Sequence, residues 1–273
     1  MQLVSLPDVI AAIDRAKNVK VDAYVLGSRG AMLRALERAA DRGADVSVAL
    51  CEKPASDDEE AKANARIADA LRHHGVRVVN DPPTGPGSIH AKVAMVDDRV
   101  FYDDRNWRSS GGDDLIVSGD VDDALSIRAK AQVLADEAAL IRSGTGRSVF
   151  VATESFGPGP VAKALLERAQ RGDDVRLIYN PGEHVRGGEA TLATMRAAGV
   201  RIEESYQNHK FACVGTRAWV GSANATVAAG ETGVGLEWGT ELHGTLAARV
   251  NALAEDMWHE SDPSLHGHPR AQR

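Results

Sequence analysis

Apolar and polar positions along the chain follow two spacings, and the order of those spacings repeats. In the first half, an apolar run at 21–26 leads into helical spacing at 31–42. A strand pattern at 46–50, a helical one at 59–73 and a strand at 76–79 follow. The second half predicts the same series: strand 149–153, helix 161–170, strand 175–179, helix 189–198 and strand 200–203. Gly75 and Gly199 stand where a helix-ending glycine belongs, just before the next strand. Strands alternating with helices predict a parallel or mixed sheet in each half. Each half is expected to close on a long amphipathic helix, at 121–141 and 240–258, with Ala and Leu spaced to pack one face on a sheet. The fold class is therefore α/β: two similar α/β halves from an internal duplication, with mixed sheets flanked by helices.

The duplication is visible in the residues themselves. Glu37-Arg38-Ala39, followed by Gly43 and Val46, returns as Glu167-Arg168-Ala169, followed by Gly172 and Val175. Residues 90–106 return at 208–224 without a gap: Lys92 matches Lys210, Val93 Phe211, Ala94 Ala212, Val96 Val214, Arg99 Arg217 and Asn106 Asn224. A boundary near 143–146 divides the chain into halves at 1–145 and 146–260. A mobile tail is expected at 261–273, rich in His, Pro and polar residues, where His266 and His268 read as solvated rather than as metal ligands. Cationic and amide side chains repeated at matched places predict two half-sites meeting on a pseudo-twofold axis, and such a site suits an anion.

The first copy of the motif carries the clearest chemistry. His90 and Lys92 are two apart on an expected strand, so their side chains share a face and can touch one phosphate. Lys92 supplies charge to phosphate oxygens, Asn106 an amide donor, and His90 a nucleophilic nitrogen or a proton carrier. An isolated His-x-Lys is commonplace on solvated strands. Its coupling here to Asp97, Asn106 and a repeated Lys/Asn pair gives it weight.

His90, Lys92 and Asp97, together with Gly221, Ser222 and Asn224, resemble the signature of the phospholipase D superfamily: His-x-Lys, four residues, Asp, then a Gly-Ser-x-Asn segment, present twice. The surrounding α/β repeat fits that superfamily's two-half architecture. The resemblance implies a phosphodiesterase that needs no metal or other cofactor. One histidine attacks phosphorus to form a phosphohistidine, a second protonates the leaving oxygen, and water or an alcohol then releases the phosphoryl group. Carried onto this sequence, the catalytic candidates are His90, Lys92, His209 and Lys210. The phosphate-binding candidates are Asn106, Ser222 and Asn224, and the orienting acids are Asp97, Asp114 and Glu237.

This chain departs from the pattern in two places. The first copy has Asp103-Asp104-Arg105-Asn106, with carboxylates where Gly-Ser is usual. The second has Asn208-His209-Lys210, with Asn208 at the histidine position and Gly215 at the aspartate position. Regular alternation points His209 to the face opposite Lys210, whereas a bulge turns it into the cleft.

Composition narrows the setting. At 273 residues and 43% hydrophobic content the chain buries a substantial core. Its first residues lack the pattern of a signal peptide and no apolar run reaches membrane-span length, so a cytoplasmic protein without membrane insertion is expected. The net charge of −7 and the lack of a dense Lys/Arg run give no general basic footprint for nucleic acid, although a local cationic cleft can coexist with an acidic exterior. The expected partner is a phosphodiester substrate, a phospholipid or a nucleic acid, with the phospholipid type favoured. Cys51 and Cys213 have no metal-ligand spacing and read as buried thiols. Gly157-Pro158-Gly159-Pro160 reads as a turn before a helix, and the acidic run from Asp57 to Glu60 as a helix start.

Overall fold

The computed structural model describes residues 1–27, 30–52, 54, 58–81, 90–107, 115–183, 185–227 and 235–261. The chain divides into two compact units. The first comprises Met1–Lys130, Gly221–Ala223 and Gly233–Trp238; the second comprises Ala131–Val220, Asn224–Thr232 and Gly239–Arg273.

The first unit opens with β1 (Gln2–Val4) and α1 (Leu6–Ile13). It continues through β2 (Asn18–Ala23), α2 (Ala31–Asp41), β3 (Asp45–Cys51), α3 (Asp58–His73) and β4 (Arg77–Asp81). The motif strands β5 (Lys92–Val96) and β6 (Arg99–Asp103) follow, then β7 (Ile116–Asp120) and the short β8 (Arg128–Ala129). The first seven strands form one sheet in the order β1-β7-β6-β5-β2-β3-β4. β2, β3 and β4 run parallel, while β5, β6 and β7 add antiparallel neighbours from β2 outward. The parallel strands need crossover helices, and α2 and α3 supply them. α2 buries Met32, Leu33, Ala35, Leu36 and Ala39, each large apolar chain contributing roughly 1.5–3 kcal/mol on leaving water.

The second unit starts within α4 (Lys130–Ser143) and repeats the plan with β9 (Ser148–Thr153), α5 (Pro160–Gln170), β10 (Asp174–Tyr179), α6 (Gly188–Ala197) and β11 (Arg201–Glu204). β12 (Phe211–Val214) and β13 (Arg217–Gly221) are its motif strands. β14 (Leu236–Glu237) returns to the first unit and pairs antiparallel with β8. β15 (Gly239–Leu242) and α7 (Gly244–Ser261) close the second unit, whose sheet runs β11-β10-β9-β12-β13-β15. The parallel trio β9, β10 and β11 with antiparallel β12 reproduces the first sheet's arrangement. Both sheets are thus mixed, flanked by helices and built alike, as the repeat predicts. Gly75 and Gly199 adopt φ of +80° and +87° after their helices, a region open to glycine.

The closing helices differ from expectation. No helix spans 121–141: a 3-10 turn at Val121–Asp123 is followed by extended backbone at Ala124, and α4 begins only at Lys130. The polar group that interrupts it is the Tyr102 hydroxyl, which accepts the Leu125 N–H at 2.7 Å, and Arg128–Ala129 is drawn into pairing with Leu236–Glu237. The expected helix at 240–258 likewise starts late, at Gly244, because Gly239–Leu242 joins the sheet as an outer strand. Helical periodicity gives way where tertiary strand pairing competes for the same backbone. The short α1 and β1 lie outside the predicted elements; the Asp8 carboxylate accepts the Ser5 N–H at 2.9 Å and thereby starts α1.

Among the described residues, no helix is long and apolar enough to cross a membrane, and no group of three or more His, Cys, Asp and Glu is arranged to hold a metal ion. Cys51 and Cys213 are buried free thiols. Ser261, expected to open the mobile tail, instead closes α7 and is buried; the rest of that tail, with His266 and His268, lies outside the described residues, as does Asp114.

Candidate active site

In the first unit, His90 directly precedes β5, and its N–H and that of Ala91 both donate to the Leu236 carbonyl, at 3.1 and 2.9 Å. That pair of bonds ties the motif to the segment carrying Glu237. The His90 Nδ1 faces the Glu237 carboxylate, 2.8 Å from Oε1 and 3.0 Å from Oε2. Ser222 donates its hydroxyl to Glu237 Oε2, and its Oγ accepts the Trp238 N–H at 3.0 Å. Trp238 in turn anchors its indole N–H on the Asp103 carbonyl at 3.2 Å. The Lys92 ammonium lies 3.1 Å from each His90 ring nitrogen and 5.5 Å from the centre of the Tyr24 ring. Tyr24 meets the imidazole edge-on, with centroids 4.6 Å apart.

The electrostatics follow from this geometry. Burial alone pushes the Glu237 carboxyl up, but the charge and hydrogen bond of His90, the Lys92 ammonium and the Ser222 hydroxyl together hold it well below the usual carboxylate range. An ionised Glu237 accepts the proton on Nδ1; when His90 is neutral, that contact favours the tautomer in which Nε2 is unprotonated. His90 keeps partial exposure while Glu237 and Lys92 are almost fully covered. This is an imidazole held by a carboxylate on Nδ1, with the Lys92 ammonium within 3.1 Å of its second nitrogen.

The neighbouring acids have other work. Asp103 Oδ1 accepts the Arg105 N–H at 3.1 Å and Asp104 Oδ1 the Leu115 N–H at 3.2 Å, so both buried carboxylates brace the backbone. Asp97 lies at the other end of β5 from His90, in the β5–β6 turn, where it accepts the Lys17 and Asn18 N–H groups at 3.1 and 2.9 Å. Those backbone donors, Asn18 foremost, lower its carboxyl below the usual range. Its φ of +52° is matched by +59° at Gly215, the residue in the same turn of the second copy. The structure thus does not bring Asp97 to the histidine.

In the second unit, Lys210 and Asn224 come together on Glu154: Lys210 Nζ is 3.1 Å from Glu154 Oε2, and Asn224 Nδ2 donates to that oxygen at 3.4 Å. Lys210 also donates to the Asn208 carbonyl at 2.8 Å, and the Asn208 side chain accepts from Asn180 at 3.2 Å. His209 is 4% exposed and meets the Phe211 ring edge-on, 5.9 Å between centroids, while Phe211 stacks on Phe150. Its N–H donates to Gln207 Oε1. The Oδ1 atoms of Asn106 and of Asn224 are both buried without a hydrogen-bond partner among the described residues. These amide oxygens are acceptors, so an ionised phosphodiester, which offers no donor, would be met by the Nδ2 groups instead.

Tyr24 and Glu154 were absent from the sequence-based candidates. The signal that finds them is the register: Val19 pairs with Val96 and Val149 with Val214, so the repeat extends backward through the neighbouring strand and sets Tyr24 against Glu154. Gly157 belongs to packing, since a Cβ there would meet Thr226 Oγ1 at 2.6 Å. Gly159 caps α5 ahead of Pro160, and α3 begins within the acidic run, at Asp58.

Comparison with known proteins agrees with this architecture. Phosphatidylserine synthase of Haemophilus influenzae superposes with a TM-score of 0.61 at 12% identity, over 96% of this chain and 87% of that one. Polyphosphate kinase of Porphyromonas gingivalis gives 0.59 at 15% identity over 93% of this chain, which spans 49% of the kinase. Yeast tyrosyl-DNA phosphodiesterase gives 0.50 at 11% identity over 84% of this chain and 83% of that one. At such identities the likeness is one of fold. No curated protein sequence matches. Residues 9–110 and 138–258 match the family model described as "Cardiolipin synthase, PLD-like domain", most of both halves, and the chain therefore belongs to the phospholipase D superfamily.

Proposed function

We propose that the protein is a phosphodiesterase or phosphoryl transferase in which His90 is the nucleophile. The observation that carries this reading is the His90–Glu237–Ser222 chain beside Lys92. Nε2 attacks phosphorus as the bond to the leaving oxygen breaks, giving a phosphohistidine and an alcohol once that oxygen gains a proton. Glu237 holds the imidazole and stabilises the positive charge it acquires, and Ser222 holds Glu237. Water or a second alcohol then attacks phosphorus, loses its proton and frees His90. Lys92, Lys210, Asn106 and Asn224 are the proposed phosphate ligands, with lysine charge in the role a metal ion fills elsewhere.

His209 is the proposed proton donor to the leaving oxygen, and its position against Phe211 makes that role the one most in need of a test. His209→Ala should slow a diester with an alkyl leaving group far more than one with a nitrophenyl group, which needs no proton. Equal losses on both, or none, remove His209 from the mechanism. Asn208 at the second histidine position favours a second reading, a phosphate-ester-binding module without turnover.

A phospholipid-type diester is the favoured substrate, supported by the net charge of −7, the missing Lys/Arg run and the description of the matching family. Nucleic acid is the alternative, as in the nucleic-acid-processing relative named above. A panel of phospholipid, DNA, RNA and small diesters, run with the wild type and His90→Ala, tests the whole reading. His90-dependent release of an alcohol from the lipid supports it. Cleavage of nucleic acid alone overturns the lipid assignment, and binding without cleavage of any substrate favours the second reading.

A further inference from the structure

The sheet registers align one position at which the two copies differ in kind. Val19–Val96 and Val149–Val214 are matching pairs, so Tyr24 directly after β2 and Glu154 directly after β9 occupy the same place in their units. The bridges Leu26–Trp107 and Phe156–Ala225, two residues further on, preserve that register. The first unit has an aromatic ring there, edge-on to His90 and near Lys92. The second has a carboxylate, and a single oxygen of it takes both Lys210 and Asn224.

We infer that Glu154 is a built-in counter-anion of the second unit's phosphate site. It occupies Lys210 and Asn224 until a phosphate group displaces it, and so sets how tightly that unit takes phosphate. The inference rests on the reading of Lys210 and Asn224 as phosphate ligands. Two effects act in the same direction. Glu154 Oε2 fills a position a phosphate oxygen needs, and its charge repels the incoming anion. The side chains of Lys210 and Glu154 are 3% and 17% exposed, so water screens the pair weakly. Tyr24 imposes neither effect on Lys92, and the carboxylate that Lys92 acts on, Glu237, is held by His90 and Ser222.

The test is binding of inorganic phosphate to the full chain, followed by calorimetry and phosphorus NMR. It compares the wild type with Glu154→Gln, Glu154→Ala, Lys210→Ala and the double variant Glu154→Ala/Lys210→Ala. Both Glu154 variants should bind phosphate more tightly, on the order of tenfold, equivalent to one unit of pKa in interaction strength. The gain should be absent when Lys210 is also removed. Glu154→Gln keeps the side-chain volume and the acceptor for Asn224, and so guards against a folding defect in the alanine variant. Unchanged, weaker or undetectable binding in both Glu154 variants overturns the inference, as does a gain that survives loss of Lys210. The functional reading fails separately: turnover retained in His90→Ala sinks the nucleophile and leaves the phosphate comparison standing.

Discussion

The two copies of the motif share a backbone and differ in chemistry. At the turn between the motif strands, Asp97 and Gly215 adopt nearly the same positive φ. The first copy holds that turn with a carboxylate on two backbone amides, the second with a residue that takes the conformation freely. At the head of the motif, His90 faces Glu237 while Asn208 bonds Asn180. Beside the lysine stands a ring in one copy and an acid in the other. The duplication has preserved strand order and register more strictly than it has preserved the polar groups of the motif.

Substitution at the two matched head positions should break the symmetry most visibly. His90→Ala is expected to lower turnover by about three orders of magnitude or more, as loss of a covalent nucleophile does. Asn208→Ala should cost only a small fraction of that. Comparable losses in steady-state kinetics would mean the copies share the catalytic burden. Glu237→Gln comes next: it keeps the shape but removes the charge behind His90, and kcat should fall on the order of a hundredfold. A kcat within a factor of about two of wild type would show that the imidazole needs no carboxylate.

The closing helices give a contrast in stability. Glu137 of α4 is fully buried, and burial pushes its carboxyl up to about 8, whereas the buried residues of α7 include no acid. The folded state therefore keeps a proton that the unfolded chain releases from about pH 4.5, so stability falls as pH rises from 4.5 to about 8. The loss is on the order of a few kcal/mol. Glu137→Gln should flatten this slope in denaturant titrations at several pH values; an unchanged slope refutes the assignment. At the matched turns, Asp97→Gly should melt closer to wild type than Asp97→Ala, which loses the amide bonds and keeps the positive φ. The reverse order would show that the turn's strain is carried elsewhere. The smallest expected effect is that of excess EDTA, which should leave turnover unchanged if lysines supply the positive charge. Loss restored by a divalent ion would overturn that role.

Much of this was legible in the sequence. Periods of two and 3.6 locate the strands and helices that alternate in each half, because local burial dictates both. The stretch 121–129 misleads, because the Tyr102 hydroxyl and β14 claim its backbone, whereas 130–141 is helical as expected. His90 and Lys92 can be named from spacing, and Ser222 and Glu237 from the resemblance to the superfamily, yet their assembly depends on the return of 221–238 to the first unit, which no local period encodes. Asp97 illustrates the opposite error: a motif member whose place in the spacing reflects a turn requirement. Tyr24 and Glu154 needed the strand pairing to be seen as counterparts.

The return of Ser222 and Glu237 to the first unit has a consequence for modularity. A gene cut at the boundary of the repeat would separate His90 from the carboxylate that orients it, leaving a fragment with the right motif and an untethered imidazole. Exchange of either copy with a homologue's would have to carry residues 221–238 along with the partner they serve.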